Sequence, residues 1–198
     1  VKDANGCTAT RPITIDPLTP PTDISFSATA ANCPAETSDI TLTPTGGSGA
    51  ITFEITAPAA AVASNATGIF TGLDPDTYTF RITDAKGCSY DENYTLNPVT
   101  KINVLGTLTQ NVSCQGSADG AIQYNITGFS GNYSFTVAGP TAIAPQSGIN
   151  TNPLTFNGLL AGDYTITVTD DTTNCTDTAT VTVNEPSAPL AFTFNLSP

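Results

Sequence analysis

The sequence predicts an all-β protein: immunoglobulin-like β-sandwiches repeated in a tandem, linear array. Three observations carry this prediction. Apolar residues alternate with threonine at a period of two, the spacing of half-buried strands. The chain repeats itself, with each strand pattern recurring some 80 to 90 residues later. Threonine supplies 36 of the 198 residues, while the helix-favouring Lys, Glu and Leu are scarce.

The repeat is clearest near its end. Leu73-Asp74-Pro75-Asp76-Thr77-Tyr78-Thr79-Phe80-Arg81-Ile82-Thr83-Asp84 reappears as Leu159-Leu160-Ala161-Gly162-Asp163-Tyr164-Thr165-Ile166-Thr167-Val168-Thr169-Asp170. Each copy is preceded by a glycine, Gly72 or Gly158, and runs on to a cysteine, Cys88 or Cys175, then to Pro98 or Pro186. Upstream, Thr45-Gly46-Gly47-Ser48-Gly49 matches Thr127-Gly128-Phe129-Ser130-Gly131, and Cys33 matches Cys114. Lys2-Asp3-Ala4-Asn5-Gly6-Cys7 matches the stretch Thr83 to Cys88. The expected organisation is therefore a tail of a preceding repeat (1–16), a complete repeat (17–98), a second complete repeat (99–186) and the start of a following one (187–198).

The elements follow in order. The first strand of each repeat is poorly registered: counted from the preceding proline, Ile24 and Phe26 differ in parity from Val104 and Phe192. Ile51, Phe53 and Ile55 correspond to Tyr133, Phe135 and Val137, the inward residues of a later strand. Tyr78, Phe80 and Ile82 correspond to Tyr164, Ile166 and Val168, with threonines and Arg81 outward. Ala179, Val181 and Val183 close the second repeat, again between threonines. About seven short strands per repeat read as an immunoglobulin-like sandwich. Tyr78 and Tyr164, each opening a strand after a leucine-containing turn, resemble the tyrosine corner of that fold, where a buried hydroxyl bonds backbone upstream; the competing reading is an ordinary tyrosine at a strand start.

Each complete repeat holds one early and one late cysteine. The expectation is one disulfide per repeat, Cys33–Cys88 and Cys114–Cys175, with Cys7 unpaired because its early partner would lie upstream. The alternative is that all are free thiols packed in the sandwich. Disulfides would place the chain in an oxidising compartment.

Composition excludes several functions. The chain has no His, Trp or Met, so Ser-His-Asp and Cys-His catalysis and His-bound metals are absent. Five bases against 17 acids leave a net charge of −12 and no phosphate-binding footprint, so nucleic acid is not an expected partner. No run of 18 apolar residues exists, so membrane insertion by a helix is not expected. Asp74 and Asp76 flank Pro75, but their second-repeat equivalents are Leu160 and Gly162, which argues for a turn and against a paired-carboxylate enzyme. No enzyme activity and no obligatory cofactor are expected. Asp84, Asp170 and Asp171, at a strand end, are candidate Ca²⁺ ligands; the competing reading is a turn in which the aspartate caps backbone N–H groups. Phe129, at a turn tip, is a candidate sugar-stacking aromatic against a reading in which it packs on its own sandwich.

Val112-Ser113-Cys114-Gln115-Gly116-Ser117-Ala118-Asp119-Gly120 opens the second repeat, and Gly158 to Asp170, Cys175 and Glu185-Pro186 close it. This pattern resembles the SprB-type repeat of very large cell-surface adhesins of Bacteroidota, including the gliding-motility adhesins. The first repeat departs from it at Cys33-Pro34-Ala35-Glu36-Thr37-Ser38-Asp39, which lacks the usual glycine pair. The resemblance implies export by type IX secretion, location outside the cell at its surface, and a structural stalk or filament supporting attachment or gliding motility. The alternative it leaves open is repeats that themselves bind polysaccharide or another surface. Neighbouring repeats of the same chain are the expected partners, with surface polysaccharide as a further one. The phylum glycosylates hydroxyls in Asp-Ser/Thr-small contexts, which marks Thr178 and Thr172 as candidate modification sites.

Overall fold

The computed structural model describes residues 1–15 and 17–188. Phe192 and most of the expected following repeat, from residue 189 on, lie outside those residues. Fourteen strands are described, seven in each half of the chain. The first seven are β1 (Pro21–Ala28), β2 (Ser38–Gly46), β3 (Thr52–Ala57), β4 (Ala63–Asn65), β5 (Ile69–Leu73), β6 (Thr77–Thr83) and β7 (Ser89–Thr95). The second seven are β8 (Asn103–Gln110), β9 (Gly120–Thr127), β10 (Tyr133–Ala138), β11 (Ile143–Ile149), β12 (Leu154–Leu159), β13 (Gly162–Asp170) and β14 (Thr176–Val183).

The two sets have the same connectivity. β1-β2-β5 and β4-β3-β6-β7 are the sheets of the first set; β8-β9-β12 and β11-β10-β13-β14 are those of the second. Three strands facing four, with the second hydrogen-bonded to the fifth and the third to the sixth, is an immunoglobulin-like sandwich. The all-β, immunoglobulin-like class read from the sequence is thus the observed one. Most of the extra length of the second repeat lies around β11, a seven-residue strand where the first has the three-residue β4.

The chain divides into two compact units. One comprises Val1–Thr29 and Asp39–Leu96; the other comprises Ala30–Ser38 and residues from Asn97 onward. The sequence assigns residues 17–98 to one repeat. In the structure the segment between β1 and β2 belongs instead to the second unit.

Alternation builds each core. Phe80 and Ile82 on β6, with Ile40 and Ile55, are fully buried in the first unit. Tyr164, Ile166 and Val168 on β13 join Ile122, Tyr124, Ile126 and Tyr133 in the second. Each such side chain contributes about 1.5–3 kcal/mol on burial. The outward threonines pair across strands: Thr77 and Thr95 hydroxyls lie 2.9 Å apart, and Thr165 and Thr180 lie 2.8 Å apart, in directly opposed positions. Arg81 makes a two-pronged bond to Asp91 across the same face, at 2.7 and 2.8 Å. The pair is exposed and adds little stability.

Glycine is required where the repeat motif turns after its second strand. Gly46 and Gly128 have φ of +80° and +72°, and an added Cβ would sit 2.6 Å from the Pro20 carbonyl oxygen or 2.2 Å from that of Lys101. No side chain fits against backbone at that distance, which explains why Thr-Gly recurs at both places.

Both tyrosine corners form. The Tyr78 hydroxyl donates to the Asp74 carbonyl at 2.8 Å, and that of Tyr164 to the Leu160 carbonyl at 3.0 Å. Burial, with Asp74 and Asp76 nearby, holds the Tyr78 pKa above its usual value. The Tyr164 hydroxyl also accepts from the Thr141 N–H at 3.2 Å and lies 2.8 Å from Thr141 Oγ1. Gly139 makes room for the ring, since a Cβ there would lie 2.3 Å from Tyr164 Cδ1. Replacing Tyr164 with Phe is expected to cost about 1–2 kcal/mol in equilibrium denaturation, more than Tyr78→Phe, because it strands more polar groups. Equal losses would show that the Thr141 contacts contribute nothing.

Candidate functional site

Chemistry-bearing residues gather on one recurrent turn, the one joining the last two strands of each repeat. It opens on an aspartate and closes on the late cysteine. Asp84 N–H donates to the Cys88 carbonyl at 2.9 Å, and Asp170 N–H to that of Cys175 at 2.9 Å. Asp3 does the same to Cys7 at 3.0 Å. The residue before the cysteine takes positive φ each time: Gly6 at 90°, Gly87 at 83° and Asn174 at 57°.

The aspartates are structural caps. Asp84 accepts from the N–H groups of Ser48, Lys86 and Cys88 at 2.9–3.0 Å. Asp170 accepts from those of Ser130, Thr172 and Thr173 at 2.7–3.1 Å. Burial alone would raise both carboxyl pKa values, but these N–H bonds outweigh it and hold both below the ordinary range. Asp171 accepts from the Ser134 hydroxyl at 2.6 Å. Among the described residues no three His, Cys, Asp or Glu side chains come together as a metal site. At Asp84 and Asp170 the carboxylate oxygens serve backbone donors, the arrangement that the turn reading expects, whereas Asp171 serves a side-chain hydroxyl.

The cysteines pair differently from the expectation of one bond per repeat. Cys33 is bonded to Cys175, with Cα atoms 4.8 Å apart and a sequence separation of 142. Cys88 and Cys114 are free thiols, Cys88 partly exposed and Cys114 exposed, and Cys7 is also free and exposed. The reason is the path of the chain. In the first unit β2 starts after the early-cysteine loop and ends at Gly46, and the next loop docks on the late-cysteine turn through Ser48 and Asp84. β2 is a nine-residue strand about 26 Å long, with the late-cysteine turn docked at its far end. A disulfide needs Cα atoms within about 7 Å. In the second unit β9 separates Cys114 from the Asp170 turn in the same way, with Ser130 as the docking residue.

The segment Ala30–Ser38 supplies Cys33 to the second unit. Cys33 N–H donates to the Thr173 carbonyl at 2.9 Å, so the segment is held by backbone as well as sulfur. Cys175 is 1% exposed. Lys101 reaches Glu36 of the segment at 2.7 Å. Sequence reasoning missed this placement because it assigned cysteines to repeats by proximity in the chain. The opposing ends of one strand were the available signal.

Phe129 packs edge-on against Tyr133, with centroids 4.9 Å apart, and lies against the second core. Thr178 is exposed on β14 opposite Thr167, and Thr172 donates its hydroxyl to the Ser130 carbonyl at 2.8 Å. Asp76 serves its own turn, accepting from the Thr77 N–H at 2.7 Å. No helix among the described residues is long and apolar enough to cross a membrane.

No family model matches the chain, and no curated protein matches it. Among solved structures it is similar to the C-terminal 282-residue fragment of intimin, in complex with the intimin-binding domain of the translocated intimin receptor. That likeness has 18% identity and a TM-score of 0.39, covering 82% of this chain and 65% of the intimin fragment. A likeness of this size decides nothing about function, and the fold rests on the strand order itself.

The caps give an acid signature. The Asp170 pKa is depressed in the folded chain, so its contribution is complete above the ordinary carboxyl value of 3.8 and is lost as pH falls below it. Asp170→Asn is expected to lose about 1–3 kcal/mol at neutral pH and to flatten the fall in stability below that value. Denaturation curves across pH 2–7 test this; an unchanged acid limb would refute the capping role.

Proposed function

We propose that the chain is a load-bearing segment of the stalk or filament of a large secreted cell-surface adhesin, of the SprB-repeat type its motifs resemble. The observation that carries the reading is the Cys33–Cys175 bond. It spans a sequence separation of 142 and encloses β2 to β13. Tension applied at the chain ends passes from Cys33 to Cys175 through sulfur and bypasses everything enclosed. Supporting features are the sandwich repeat, which turns chain length into reach, and the shared negative charge. Residues 17–98 hold two bases and nine acids, and 99–186 hold one base and six acids, so the repeats repel and resist collapse. A disulfide suits an oxidising, extracellular location.

Single-molecule stretching by the termini tests the mechanical part. The oxidised chain should withhold the enclosed segment, and reductant should release about 500 Å of additional extension. Cys33→Ser should behave as the reduced chain without reductant. Equal extension before and after reduction would sink the reading. Repeats that bind polysaccharide directly are the competing function, and specific retention of the chain on a glycan array would favour it.

A further inference from the structure

We propose that Cys88 and Cys114 are the two halves of further bonds of the Cys33–Cys175 kind. In this scheme the early cysteine of any repeat pairs with the late cysteine of the repeat that follows, giving a ladder of disulfides along an array. The inference rests on the repeat and the observed bond, and not on the adhesin reading.

Cys114 is the equivalent of Cys33, and Cys88 is the equivalent of Cys175. The equivalent pair is bonded, and it joins an early cysteine to the late cysteine one repeat on. The same rule assigns every cysteine in the chain. Cys114 requires a late cysteine from a following repeat, whereas Cys88 and Cys7 require early cysteines from preceding ones. Those are the three free thiols observed.

The receiving turn is already built around Cys88. Its Asp84–Cys88 backbone bond matches the Asp170–Cys175 bond at the same 2.9 Å. Gly87 and Asn174 share positive φ. Lys86 stands two residues before its cysteine, as Thr173 does, and so offers the carbonyl position that receives the Cys33 N–H. Both thiols are accessible. Pairing within the second repeat is excluded for Cys114, because β9 separates it from the Cys175 turn. Forming the bond joins Sγ to Sγ and releases two protons and two electrons. A disulfide oxidant accepts the electrons and is reduced to two thiols.

The test is an extended chain: residues 1–185 followed directly by residues 17–198, in a Cys7→Ser background. The new junction joins Glu185 to Pro17, in phase with the natural junctions at Pro98 and Pro186. One version carries Cys88→Ser in its first half and Cys114→Ser in its second, leaving the pair that the ladder joins. The reverse version keeps Cys88 in the first half and Cys114 in the second. Both are refolded with oxidised glutathione, alkylated and mapped by non-reducing mass spectrometry, with Cys33–Cys175 in each half reporting correct folding. The first version should show the Cys114–Cys88 cross-link and no alkylation there; the reverse should alkylate at both. Free thiols in the first version, while Cys33–Cys175 forms, would overturn the ladder. So would equal cross-linking in the reverse version, or a Cys88–Cys114 bond within the unextended chain.

Discussion

The length of the second strand in each sandwich governs how this chain is held together. β2 and β9 each carry the chain from the early-cysteine loop to the opposite end, where the late-cysteine turn lies. A strand of about 25 Å is several times the reach of a bond whose Cα atoms must lie within about 7 Å. Covalent reinforcement therefore cannot stay inside one repeat. The segment Ala30–Ser38 leaves the first unit, and Cys33 finds Cys175 in the second. In a chain-entropy view, closing so long a loop constrains the unfolded state by about 4–5 kcal/mol.

The same ends need polar reinforcement, and the chain supplies it with few charges. Asp84 and Asp170 each gather three backbone N–H groups, tying the turn they open to the loop after the second strand. Acids also fix the first strands to the rest of their units. Glu92 accepts from the Ile24 N–H at 3.2 Å, and Asp177 from the Val104 N–H at 2.8 Å. No buried side-chain polar atom lacks a partner among the described residues. Acids that looked like metal ligands by spacing are thus absorbed in satisfying backbone, where an unpaired buried donor would cost about 1–3 kcal/mol.

The two units reach one topology with different cores. The first relies on Phe53, Phe70 and Phe80, with Phe26 stacked on Tyr94 at 4.7 Å. The second buries three tyrosines, each giving its hydroxyl to a carbonyl. Tyr124 donates to Tyr164 at 2.6 Å, and burial pushes its pKa up to about 12; Tyr133 donates to Thr151. Such bonds tie strand to strand and strand to loop from inside the core.

The sequence alone determined whatever depends on local pattern. Period-two alternation placed Tyr78, Phe80 and Ile82 inward, and Thr-Gly marked the turns at Gly46 and Gly128. A tyrosine near the start of its strand suggested a corner, and self-comparison aligned the cysteines. These signals are legible because strand geometry and positive φ act over a few residues. The partner of Cys33, the membership of Ala30–Ser38 and the long-range bonds from Ser48 to Asp84 and from Ser130 to Asp170 were decided only by tertiary structure. They depend on which ends of which strands meet, and residues far apart in sequence come together there through the path of the whole sheet.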